Sequence, residues 1–136
     1  MTMNIAIHFE IPVQDLERAI RFYEGVFETV LERVQIDGNE MALFPLESGT
    51  AGCSGALAKG ESYVPSLDGT RIYLRVPDIE GAMARALASG GACLYPVTRV
   101  GGRGEPPGGG VSGLRGESHR LAGGNLTIIY PVHGVC

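Results

Sequence analysis

The heptapeptide VQDLERA at residues 13–19 returns as VPDIEGA at residues 76–82, so that Asp15 and Asp78 stand 63 residues apart. A repeat at that spacing divides the chain into two units of similar size, each of which must form the same local structure. Upstream of the first copy, Ile5, Ile7, Phe9 and Ile11 alternate with Ala6, His8 and Glu10. That is the period of a strand with one apolar face, and His8 and Glu10 share the other. Downstream, Asp15 can cap a helix in which Leu16, Ala19, Ile20, Tyr23, Val26 and Phe27 recur at helical spacing, predicting a helix over Leu16–Phe27. The second unit repeats the order: Ile72, Leu74 and Val76 alternate, Asp78 caps, and Ile79, Ala82, Met83, Ala86 and Leu87 form a stripe predicting a helix over Ile79–Ser89, ended by Gly90 and Gly91. Strand-like pieces follow each helix: VLERVQID and EMALFPL in the first half, ACLYPVT and NLTIIYPV in the second. The economical reading is a βαβββ module duplicated once, with Ile5, Ile7, Phe9 and Ile11 packed under the helices.

A chain of 136 residues, 44% hydrophobic and 19% charged, suits one domain with a sizeable core, its modules falling at about residues 1–60 and 68–132. A formal charge of -4 with a pI near 5.3 gives no electrostatic reason to expect nucleic acid or an anionic membrane as partner. The opening MTMNIAIHFE lacks a basic segment followed by an apolar one, and no apolar run approaches a membrane span, so a cytoplasmic location is the expectation. Cys53, Cys93 and Cys136 are odd in number and lack C-x-x-C spacing, which favours idle or buried thiols over zinc or redox chemistry.

The stretch FEIPVQDLERAIRFYEGVF resembles the vicinal oxygen chelate superfamily, the glyoxalase, bleomycin-resistance and extradiol dioxygenase fold, whose modules carry V-x-D-[LI]-x-x-[AS]-x-x-F-Y on the first helix. The likeness extends through EMALFP, GALAKGESYVPSLDGTRIYLRVPDIEGA, the glycine pair after the second helix and GGN before the last strand. The resemblance implies an α+β fold in which two βαβββ modules form an incomplete barrel around a small-molecule cavity, helices outside. It implies little about chemistry, since lyases, dioxygenases, isomerases and drug-sequestering proteins share the fold.

In metal-dependent members of that superfamily, one ligand stands seven residues before the Asp of V-x-D in each module, and another three residues after the Asn of the G-N pair. Those positions are here His8, Arg71 and Ile128. A guanidinium stays charged and offers no lone pair, and isoleucine offers only hydrocarbon, so two of the three positions are closed to coordination. A lone imidazole is rarely enough to hold a divalent ion. The expectation is therefore no cofactor, with His8 a hydrogen-bonding residue of the pocket. The alternative is a divalent Fe, Mn, Ni or Zn held by His8, Glu10 and His119. The 63-residue correspondence puts Arg71, Tyr73 and Arg75 on the inward face of the second module, as it puts His8 and Glu10 on that of the first. Either Glu10 pairs with one or both arginines, or the set recognises an anionic or carbonyl-bearing molecule, because Arg meets carboxylates through two parallel hydrogen bonds. His133, in the tail PVHGVC, reads as solvated.

Between Val100 and Gly116 the sequence VGGRGEPPGGGVSGLRG is too rich in Gly and Pro for a regular element to run through most of it. It reads as a loop, either a lid over a ligand or a relaxed segment. It lacks the G-K-[ST] ending and following helix of a phosphate loop. Three functions stay open at this level: a metal-independent protein that binds, sequesters or transforms a small molecule; a metal-dependent lyase or dioxygenase of glyoxalase type; and a non-catalytic, homodimeric interaction module.

Overall fold

The structure is a computed structural model that describes residues 5–49, 52–66, 72–91, 98–100, 111–115 and 128–131. The chain forms β1 (His8–Pro12), α1 (Leu16–Phe27), β2 (Glu32–Ile36), β3 (Asn39–Leu43) and β4 (Ser54–Lys59), then β5 (Tyr73–Val76), α2 (Ile79–Ala88), β6 (Thr98–Val100), β7 (Val111–Arg115) and β8 (Ile128–Pro131). The order βαβββ thus occurs twice. Each module makes a four-stranded mixed sheet, β1-β4-β3-β2 in the first and β5-β8-β7-β6 in the second. In both, the first strand runs parallel to the last and the remaining neighbours are antiparallel. The fold is α+β and open, not a closed barrel, as an incomplete barrel requires.

Both helices begin as the repeat predicts. Asp15 accepts a hydrogen bond from the Arg18 N–H at 3.0 Å, and Asp78 accepts one from the Gly81 N–H at 3.2 Å, each satisfying a donor that the first helical turn leaves open. α1 ends at Glu28 in the left-handed region, φ 51°, with its N–H on the Glu24 carbonyl. α2 ends in glycine: Gly90 adopts φ 91° and the Gly91 N–H reaches the Ala86 carbonyl at 2.7 Å. Between β2 and β3, Asp37 and Gly38 take φ 50° and 80°, the paired positive angles of a tight hairpin turn.

One apolar cluster joins the modules. Ile11, Val13, Leu16, Ala19, Ile20, Tyr23, Val26, Leu31, Ala42 and Leu57 from the first meet Val76, Ile79 and Ala82 from the second. The helices touch, and Arg85 of α2 donates from Nε to the Val26 carbonyl at 2.9 Å, with Nη1 3.9 Å from Glu28. An arginine of one module therefore caps the last turn of the other module's helix.

Two expectations need correction. Phe9 packs against the core and Ile11 belongs to it, but Ile5 and Ile7 are 89% and 82% exposed. The parallel ladder starts at His8 opposite Ser54, so among the described residues the alternating pattern upstream has no partner strand. The loop expected over residues 100–116 contains regular structure that the composition did not suggest. Val100 closes β6, and Val111–Arg115 is a strand bonded to both β6 and β8, its backbone pairing supplied by neighbours despite the polar sequence. Residues 101–110 lie outside the described residues.

Candidate functional site

Register sorts the first sheet into two faces, because side chains directly opposite one another in neighbouring strands share a side. Phe9, Ile11, Gly55, Leu57 and Ala42 fall on the side of α1. The other, inner face carries His8 and Glu10 from β1, Ser54, Ala56 and Ala58 from β4, Met41 and Leu43 from β3, and Glu32, Val34 and Ile36 from β2. His8 and Glu10 thus share the face expected of them. His8 is exposed, at the open end of the ladder. Ser54 beside it is half-buried, whereas Ala56, Ala58 and Met41 further along are almost wholly buried. The face is closed at one end and open at the other, over a central strand of small side chains.

Gly55 shows how tightly the opposite side is packed. A Cβ there would run into the Phe9 carbonyl oxygen and stand 2.6 and 2.7 Å from the Phe9 ring.

Among the described residues Glu10 accepts a hydrogen bond from Tyr63, whose hydroxyl donates to Oε2 at 2.7 Å; the expected pairing with Arg71 or Arg75 falls on side chains outside the described residues. That hydrogen bond raises the Tyr63 phenol above its ordinary value, and partial desolvation and the charges of Glu10 and Asp37 add in the same direction. Tyr63 escaped the sequence reading because it stands 53 residues from Glu10, in the connection between modules, where no period or motif marks it. The turn that carries it is defined by the Tyr63 N–H on the Gly60 carbonyl at 3.1 Å. A Cβ at Gly60 would collide with the Asn39 side chain and lie 3.3 Å from the Tyr63 ring, so glycine lets this turn sit against β3.

Tyr73 and Arg75 lie on β5 and Ile128 on β8, with Tyr73 opposite Ile128 and Arg75 opposite Tyr130. Arg71, His119, His133, Cys93 and Cys136 are outside the described residues, and Cys53 is half-buried just ahead of β4. Among the described residues, no group of three or more His, Cys, Asp or Glu is arranged to hold a metal ion. No helix among the described residues is long and apolar enough to cross a membrane.

A sequence model of the Glyoxalase/Bleomycin resistance protein/Dioxygenase superfamily matches residues 5–104. No curated protein matches the chain in sequence. Among solved structures, a virulence protein from Salmonella typhimurium is 16% identical with a TM-score of 0.61, covering 96% of this chain and 98% of that one. A glyoxalase/bleomycin resistance protein from Albidiferax ferrireducens T118 is 15% identical with a TM-score of 0.59, over 94% and 98% of the two chains. Glyoxalase I from Zea mays is 14% identical with a TM-score of 0.63, covering 92% of this chain, which spans 43% of the maize protein. At such identities the likeness is one of fold.

Proposed function

The chain belongs to the glyoxalase/bleomycin resistance protein/dioxygenase superfamily, and from that premise we propose that it is a metal-independent member whose inner face binds, sequesters or transforms a small organic molecule. The observation that carries this reading is the chemistry of the three positions at which the resemblance puts metal ligands. His8 alone is a donor; Arg71 is a fixed cation and Ile128, on β8, is hydrocarbon. What the inner face offers instead is hydrogen bonding. Glu10, Tyr63 and His8 stand beside the small side chains of Ser54, Ala56 and Ala58, and Arg71, Tyr73 and Arg75 give the second module groups suited to a carboxylate or carbonyl oxygen. A ligand with an anionic or carbonyl group toward the second module fits both halves.

A thermal-shift screen of small carboxylates, carbonyl compounds and aromatics tests the reading, since a ligand that binds only the folded state raises its stability by mass action. Stabilising compounds are expected in metal-free protein, with the shift reduced in His8→Ala. A screen in which no compound stabilises the protein, or in which stabilisation appears only after a divalent metal is added, overturns it.

A further inference from the structure

We propose that Tyr63 and Glu10 form a latch: the turn after β4 folds back over the closed end of the inner face, and a ligand reaches Ala56 and Ala58 by taking the place of Tyr63 on Glu10. The path of the side chain carries the argument. The Tyr63 ring starts beside Gly60, just past the end of β4, and its hydroxyl ends on Glu10, which lies across the ladder from Ala56. Between those anchors lie the inner-face positions of β4, and there burial is graded. Ala56 and Ala58 are 0% exposed, while Ser54 is half-buried and His8 is open.

The bond suits a latch because its strength depends on geometry that a modest movement of the turn would undo. A phenol donating to a carboxylate makes a short, charge-assisted contact, and Glu10 is exposed, so water or a ligand can replace the phenol without leaving a buried charge. An ionised carboxylate only accepts hydrogen bonds, so the group that displaces Tyr63 must donate one: a hydroxyl, an amide or an amine. The charges of the face agree. Its strand positions include Glu10 and Glu32 and no lysine or arginine; Arg33 and Lys59 of the same sheet point to the other side and pair there with Glu17 and Glu40.

This inference rests on the reading of the inner face as a ligand site, but its test needs no ligand and fails separately from it. Ala58→Cys places a reporter thiol under the latch and Ser54→Cys places one at the open end. Labelling by a small maleimide is followed at each position by peptide mass spectrometry, alone and combined with Tyr63→Phe or Glu10→Leu, each of which removes one partner of the bond. The thiol of Ala58→Cys is expected to react slowly with the latch intact and several-fold faster in both latch variants, while that of Ser54→Cys reacts at one rate throughout. Hydrogen exchange of residues 60–66 in Tyr63→Phe without any reporter gives a second reading, and faster exchange is expected. The latch is overturned if labelling at position 58 is indifferent to both latch substitutions, or, should Ala58→Cys fail to fold, if exchange over residues 60–66 is unchanged.

Discussion

Replacing Tyr23 by Phe should stabilise this protein. Tyr23 is 2% exposed in the middle of α1, its ring stacked on Phe27 with centroids 6.0 Å apart and meeting Phe22 and Phe44 edge-on at 5.4 and 5.5 Å. Its hydroxyl is buried without a hydrogen-bond partner among the described residues. A buried hydroxyl that loses water and gains nothing costs about 1–3 kcal/mol, and Phe keeps every ring contact, so a gain of about 1–2 kcal/mol follows. For a domain of this size that is a rise in Tm of about 3–5 °C per kcal/mol, readable by calorimetry and checked by urea unfolding. Alkaline pH amplifies the difference. Burial pushes the Tyr23 phenol above its ordinary value of 10.0, so the unfolded chain loses this proton first. The stability tied to the protonated phenol is complete below about pH 10 and is lost above it, by up to about 1.4 kcal/mol per pH unit. Phe has no such proton, so the advantage of Tyr23→Phe should widen above pH 10. A variant less stable than the parent by more than about 0.5 kcal/mol, with no widening at high pH, would mean that the hydroxyl is engaged and the reasoning wrong.

Four further substitutions probe the frame that holds the inner face. Arg85→Met removes the cap on the Val26 carbonyl and should cost about 1–2 kcal/mol in urea unfolding, with faster amide exchange in the last turn of α1. Asp15→Ala and Asp78→Ala each delete a side-chain cap and should each cost about 1 kcal/mol, additively, since they cap different helices. Gly55→Ala drives a methyl into Phe9 and should cost about 1–3 kcal/mol by the same measurement, more than alanine substitution at the open Gly25 does through space filling.

What the sequence made legible was whatever carried a period or a cap. Asp15 and Asp78 mark both helix starts, and α1 runs over Leu16–Phe27 as the apolar spacing requires; α2 stops at Ala88, one residue short of the expected end. The central strand β4 was the hardest to see in the first module. Half of SGALAK is Gly and Ala, residues depleted in strands, because Gly55 must admit Phe9 on one side and small residues line the inner face on the other. The reverse error arose at Ile5 and Ile7, where a strand pattern continues past the point at which a partner strand is present among the described residues. In the site, the shared face of His8 and Glu10 followed from alternation alone. Tyr63 did not, since a contact across 53 residues depends on how a turn folds back, which no local pattern encodes.

A metal-independent site, as proposed, holds no resident metal at His8. Elemental analysis of protein purified without chelator, alongside His8→Ala prepared identically, measures this. Transition metal at background in both proteins is expected. A stoichiometric transition metal in the parent that His8→Ala abolishes would contradict it, and would make His8 a ligand with partners beyond Arg71 and Ile128.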